Sequence, residues 1–280
     1  MNWMNLPEEY CTENSKFVIL PVKYEHQVTY GKGASLGSIE IIDASYQLEY
    51  YDEQFNLEPF ISGIRLLPTL ENDTPEEMID QVSTEIKKID SKQFLIGLGG
   101  DHAVTLGLVK GMESLHSDFS VIVLDAHSDF KDFWNGSFLN HACVSKQLSK
   151  NHSLLIAGVR SMDIDEMKGI SENDSVSLLK AHEYSLEKIK EILPKLKDKV
   201  YLSIDVDVFD PSFIRNTGTP EPSGLNWDQM MELLTLIFSN KEVIGADIVE
   251  FAPTENYRSE AYALAKLAYK LMALKRLNGE

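Results

Sequence analysis

Cysteine is almost absent from this chain: 280 residues contain only Cys11 and Cys143. Two thiols make neither a disulfide framework nor a thiolate-rich metal site, so a reducing, cytoplasmic setting is the default expectation. No apolar run approaches the ~20 residues of a membrane-spanning helix. The N-terminal Met1-Asn2-Trp3-Met4-Asn5 has neither the basic nor the apolar region of a secretory signal. Positive charge is also scarce, with 26 Lys and Arg against 44 Asp and Glu and a net charge of −18. That balance disfavours nucleic acid and membranes as partners and suits cationic substrates or divalent metals. A phosphate loop is missing too. The glycine-rich Tyr30–Gly37 fits neither G-x-x-x-x-G-K-[ST] nor G-x-G-x-x-G, so it reads as a loop where backbone passes close to a site.

What is present is a soluble globular composition, 43% hydrophobic and 25% charged. Apolar runs alternate with helical patterns. Strands are expected at 16–24, 64–67, 94–100, 120–124, 153–160, 176–179, 200–207 and 243–251. Helices are expected at 39–51, 74–90, 103–116, 142–148, 185–196, 226–238 and 259–277. Thr74-Pro75-Glu76-Glu77 and Asn226-Trp227-Asp228-Gln229 are capping signals. In the last helix, Lys270, Lys275 and Arg276 lie toward the C-terminal end, where the helix dipole favours cations. Nearly unbroken apolar strands separated by helices predict an α/β fold, a parallel sheet covered on both faces, as one domain over 1–280.

In such sheets ligands bind beyond the carboxyl ends of the strands. Three expected strand ends carry ligand-type residues. One ends in Gly99-Gly100-Asp101-His102, another in Asp125-Ala126-His127-Ser128-Asp129, and a third in Ser203-Ile204-Asp205-Val206-Asp207. Alternate residues of a strand share a face, so Asp125, His127 and Asp129 should converge, as should Asp205 and Asp207. Polar groups crowded at a buried strand end are costly unless compensated, and a divalent metal compensates them. Two imidazoles and four carboxylates are too many for one ion with an open position, and suit two ions about 3.5–4 Å apart. Oxygen-rich ligation with some imidazole favours Mn²⁺. Paired ions of this kind make water a nucleophile near neutral pH.

These three motifs, in this order, resemble the signatures of the ureohydrolases: arginase, agmatinase, formiminoglutamase and relatives. The likeness spans about Tyr30 to Phe251. It implies a three-layer α/β/α domain, a binuclear manganese centre and a homotrimer or homohexamer. It also implies His102, Asp125, Asp129 and Asp205 around one ion, with Asp125, His127, Asp205 and Asp207 around the other. Asp129 would orient the attacking water and pass on its proton. His141 resembles the family's proton-shuttle histidine, and would protonate the leaving amine. Glu221, in Thr217-Gly218-Thr219-Pro220-Glu221, resembles the substrate-binding glutamate; a carboxylate suits the planar, two-pronged guanidinium.

The loop 130–140 faces the substrate's far end in this reading, with Phe130 and Trp134 packing an aliphatic chain or holding a cation. It has no threonine and one serine, unlike the loop with which an arginase holds an amino acid. Its Leu139-Asn140-His141-Ala142-Cys143-Val144 ending looks like the agmatinase branch. Agmatine, giving urea and putrescine, is therefore the expected substrate. Ala103 and Phe133 depart from that branch's usual serine and acidic residue. Arginine, guanidinobutyrate, aminopropylagmatine and formiminoglutamate remain as alternatives, as do an inactive binding protein and a single-metal amide hydrolase of the deacetylase type.

Overall fold

Apolar side chains facing both ways along successive strands force a sheet covered twice. The computed structural model describes residues 2–254 and 258–279. Among them are nine strands: β1 (Phe17–Lys23), β2 (Ile64–Leu66), β3 (Leu70–Glu71), β4 (Phe94–Leu98), β5 (Ser120–Leu124), β6 (Leu154–Val159), β7 (Val176–Lys180), β8 (Lys199–Asp205) and β9 (Glu242–Val249). Eight α-helices accompany them: α1 (Gly37–Ser45), α2 (Pro75–Ile86), α3 (Val104–Met112), α4 (Val144–Leu148), α5 (Ile164–Ser171), α6 (Leu186–Ile192), α7 (Trp227–Asn240) and α8 (Arg258–Gly279). The sheet order is β2-β1-β4-β9-β8-β5-β6-β7, with β3 also pairing β1, and every pairing is parallel.

Each sheet face has its own core. Phe17, Ile19, Ile96, Ile122 and Ile204 point to the α1, α7 and α8 side. Val18, Leu20, Leu95, Val121 and Val123 point to the α2, α3 and α4 side. The period-two alternation of strand side chains thus builds three layers. Val121 to Leu124 are wholly buried, each contributing about 1.5–3 kcal/mol of transfer free energy. Close approach of α3 to α2 depends on Gly111, where a Cβ would lie 2.7 Å from the Ile86 side chain.

The capping signals form as expected. The Thr74 side chain accepts from the Glu77 amide, and Asn226 and Gln229 complete a reciprocal box opening α7. Helix α1 stops at Ser45, short of the expected Tyr51, and a loop carries Asp52 to the α8 side. There it meets Lys270 at 2.8 Å, both side chains being almost wholly buried. Lys270 is therefore a core ion-pair residue and not a solvated dipole partner. Strand β3 and helix α5 have no counterpart among the expected elements, although Asp163 and Glu166 form a capping box for α5. No helix among the described residues is long and apolar enough to cross a membrane.

Candidate metal centre

The chain runs from β4 to β5 across the places later filled by β9 and β8. From β5 it continues outward through β6 and β7, then returns to β8 and runs the other way to β9, so the neighbours β8 and β5 lead in opposite directions and make a switch point, where open α/β sheets bind ligands. The four central strands β4, β9, β8 and β5 end at one rim, and every expected metal ligand lies on the segments that follow β4, β8 and β5 or at their last residue.

Turns, not strand faces, bring these ligands together. β5 ends at Leu124; Asp125 Oδ1 then accepts from the His127 amide at 2.6 Å, and Asp129 adopts a left-handed φ of 46°. Such a φ is unfavourable for a residue with a Cβ and marks a backbone held by its surroundings. Glu166 is one holder: its Oε1 accepts from Ser128 Oγ at 2.7 Å and from the Phe130 amide at 2.9 Å. β8 likewise ends at Asp205, whose Oδ1 accepts from the Asp207 amide at 2.9 Å inside a 3-10 turn over Val206–Val208. The expectation that alternate strand positions share a face is corrected accordingly.

The six side chains nevertheless converge. His102 Nδ1 lies 2.9 Å from Asp129, 3.2 Å from Asp125 and 3.3 Å from Asp205 carboxylate oxygens. His127 Nδ1 lies 2.8 Å from Asp207 and 3.6 Å from Asp125. Two potential ligand groups result, His102 with Asp125 and Asp129, and Asp125 with His127 and Asp207; they share Asp125. His102 Nδ1 and Asp125 Oδ2 are buried without a properly aimed hydrogen bond. Orphaned donor atoms among four buried carboxylates fit a metal-ligand set.

Electrostatics point the same way. Burial, then neighbouring Asp207 and Asp125, pushes the Asp205 carboxyl well above its ordinary range. Burial and Asp125 raise Asp129 to about 7, and the same two causes raise Asp207. Against the penalty of burial, hydrogen bonds from His102 and His127 hold Asp125 below the usual range. Against the same penalty, Asp125 and Asp207 push His127 up to about 12. The cluster carries more negative charge than two imidazoles neutralise.

The surroundings aim these groups. His102 Nε2 meets Ser203 Oγ at 3.1 Å, and Ser203 donates to Asp247 at 2.7 Å, leaving Nδ1 for the carboxylates. Gly100 permits the approach of β4's end to β1's, since a Cβ there would lie 2.0 Å from Tyr24 O. Arg160 donates to the carbonyls of Gly158, Asp207, Phe209 and Glu221, tying the segment after β8 to the end of β6.

A cavity of about 330 Å³ opens over the cluster. His141, Trp134 and Glu221 line it, as do His127, Asp129, Asp205 and Asp207. Burial, then the positive His102 and His127, pulls His141 down to about 4. Its Nε2 meets Thr29 Oγ1 at 2.9 Å, and its Nδ1 is buried with no partner. Trp134 and Ser137 bond reciprocally across Asn135-Gly136, both at positive φ, a tight turn that sets the indole over the cavity wall. Lys131 Nζ sits 4.9 Å above that ring.

Phe130, expected against the substrate, is instead 2% exposed in the core beneath Lys146, and does not line the cavity. The left-handed turn at Asp129 sends the next side chain inward. Cys143 is a buried packing residue whose thiol burial pushes up to about 11. Several lining residues escaped the sequence reading: Thr29, Lys131, Asp163 and Glu166, and above all Glu250, beyond β9, with φ 65°, accepting at Oε1 from the His102 amide at 2.7 Å. Burial and Asp101 raise its carboxyl well above the ordinary value. The signal was an acid at the end of an apolar strand, the feature used for the other three.

Among known proteins, the chain is 35% identical over 268 residues to an N(1)-aminopropylagmatine ureohydrolase of Synechocystis sp., covering 91% of this chain and 87% of that one. It is 30% identical over 270 residues to an agmatinase of Pyrococcus horikoshii, covering 94% and 93%. An agmatine ureohydrolase of Thermoplasma volcanium superposes with a TM-score of 0.86 at 27% identity, covering 94% of this chain and 91% of that one. The arginase family model matches residues 15–274, so the chain, with its acid-rich centre at the switch point of a parallel sheet, belongs to the arginase family of ureohydrolases.

Proposed function

We propose that the chain hydrolyses a linear guanidino-amine, agmatine first, to urea and putrescine, with two Mn²⁺ held by His102, Asp125, His127, Asp129, Asp205 and Asp207. The bound ions would supply Lewis acidity and an activated water. The observation that carries the substrate reading is the lining of the cavity. Beyond the ligands it offers Glu221, Glu250, Asp163 and Glu166 against one lysine, Lys131, which is itself paired with Asp163 and Glu166. Such a wall favours a substrate cationic at both ends over one ending in a carboxylate.

Glu250 is the better partner for the guanidinium, because it is held against the backbone of His102. Glu221, farther out, suits the distal ammonium. This reassigns the guanidinium from the glutamate that the sequence resemblance favours. Asp129 takes the proton of the attacking water as the new C–O bond forms. The C–N bond then breaks, and the leaving nitrogen receives a proton through His141. Held neutral at pH 7, His141 gives a proton only after taking one, so its work depends on Asp129.

N(1)-aminopropylagmatine is the second reading, favoured by the Synechocystis relative's activity. Urea release by Mn²⁺-loaded protein should be measured with agmatine, aminopropylagmatine, arginine, guanidinobutyrate and guanidine, and formamide release with formiminoglutamate. Turnover of either amine without arginine supports the proposal. A preference for arginine or guanidinobutyrate would refute the reading of the cavity wall.

A further inference from the structure

The opposite rim of the sheet has the opposite charge. Neighbouring strands β1, β4, β9 and β8 are entered through Lys16, Lys92, Lys241 and Lys199, and Lys275 of α8 joins them. These five lysines line a cleft of about 780 Å³ in which, among the described residues, the only carboxylates are Asp198 and Glu242. In a chain of net charge −18, that concentration is not the average surface.

Among the described residues, none of these lysines forms an ion pair with a carboxylate. Among the described residues, Lys16 and Lys199 have no ion pair, while Lys241 and Lys275 donate to the backbone carbonyls of Leu196 and Val243. Burial, with Lys16 and Lys199 facing it and Glu242 opposing, lowers Lys275. An independent feature lies in the same cleft. His116 is 9% exposed, lines the cleft, and its Nε2 is buried with no hydrogen-bond partner. A buried nitrogen without a partner, beside unpaired ammonium groups, is unfavourable until an acceptor arrives.

We propose that this cleft binds a small phosphate-bearing anion, at the end of the sheet away from the metal centre. Compact ammonium donors from several directions suit a tetrahedral, multiply charged oxyanion. The lining contains no arginine fork of the kind that selects a planar carboxylate. The cleft is large enough for a nucleoside monophosphate. Oxyanion contacts would come from Lys16, Lys199 and Lys275, with His116 Nε2 donating from below.

Calorimetric titration of the manganese-loaded protein with inorganic phosphate, and separately with AMP, tests this. One anion should bind per chain. Lys16→Ala/Lys199→Ala should weaken it at least tenfold, and His116→Gln at least threefold. Manganese content and urea release should stay unchanged in both variants, and Lys16→Arg/Lys199→Arg should restore binding. Equal affinity in wild type and double alanine variant would assign the anion to the metal centre and overturn the proposal. So would absence of binding by both anions. Dissociation of an oligomer in the double variant, without anion binding, would assign the cleft to another copy of the chain and also overturn it.

Discussion

Glu250→Gln separates charge from scaffolding at the proposed guanidinium subsite. The glutamine oxygen can still accept from the His102 amide, now 2.7 Å from Oε1, so the turn after β4 keeps its hold. In the proposed complex, what disappears is the carboxylate charge that a bound guanidinium would favour against the burial and Asp101 that raise Glu250. Hydrogen bonds to charged groups contribute about 1.5–3 kcal/mol, so kcat/KM for agmatine should fall about 10- to 160-fold. Initial rates of urea release over a range of agmatine concentrations measure this, with manganese content determined on the same samples. Two ions per chain with kcat/KM within about twofold of wild type would refute the role of Glu250. Glu221→Gln provides the comparison. A partly solvated pair contributes about 0.2–1 kcal/mol, so the expected loss is about 1.4- to 5-fold, mostly in KM. A larger loss for Glu221→Gln than for Glu250→Gln would return the guanidinium to Glu221.

His141→Asn should lower kcat by about 10²- to 10⁴-fold while metal content is unchanged, and wild-type kcat would remove it from the proton path. Lys270→Met strands the buried Asp52 and should cost about 3–5 kcal/mol in denaturant unfolding, with Lys270→Met/Asp52→Leu recovering most of it. Asp210 accepts from the Ser212, Ser223 and Gly224 amides, and hydrogen bonds lower its carboxyl to about 2. Its folded value lies below the unfolded one of about 3.9, so its stabilisation is present above that pH and lost as pH falls toward 2. Asp210→Asn should flatten the acid limb of the stability curve in that window, and an unchanged limb would show that the carboxylate does not hold the turn.

Much of this site was legible because ligand residues cluster where apolar runs end. A run such as Val121–Leu124 can only be a buried strand, and the first polar residues after it must stand at the sheet's rim. The layering was legible for the same reason. The hidden parts depend on turns and long-range pairing. The positive φ of Asp129 leaves little trace in sequence, and it turns Phe130 into the core. Lys270 reads as a helix-end cation until Asp52, 218 residues away, is seen to bury with it. Two signals were there to be used: Asp163 with Glu166 as the capping box of α5, and Asn135-Gly136 as the turn that positions Trp134. Glu250 obeyed the strand-end rule already applied to three other strands.

The proposed chemistry depends on a two-ion centre shared through Asp125. Equilibrium dialysis against Mn²⁺, with metal and protein quantified together, tests it most directly when run on wild type and on Asp125→Ala. Two ions per chain are expected in the wild type, and loss of both tight sites in the variant, because Asp125 belongs to both potential ligand groups. One ion per wild-type chain, or a variant that keeps two, would contradict it.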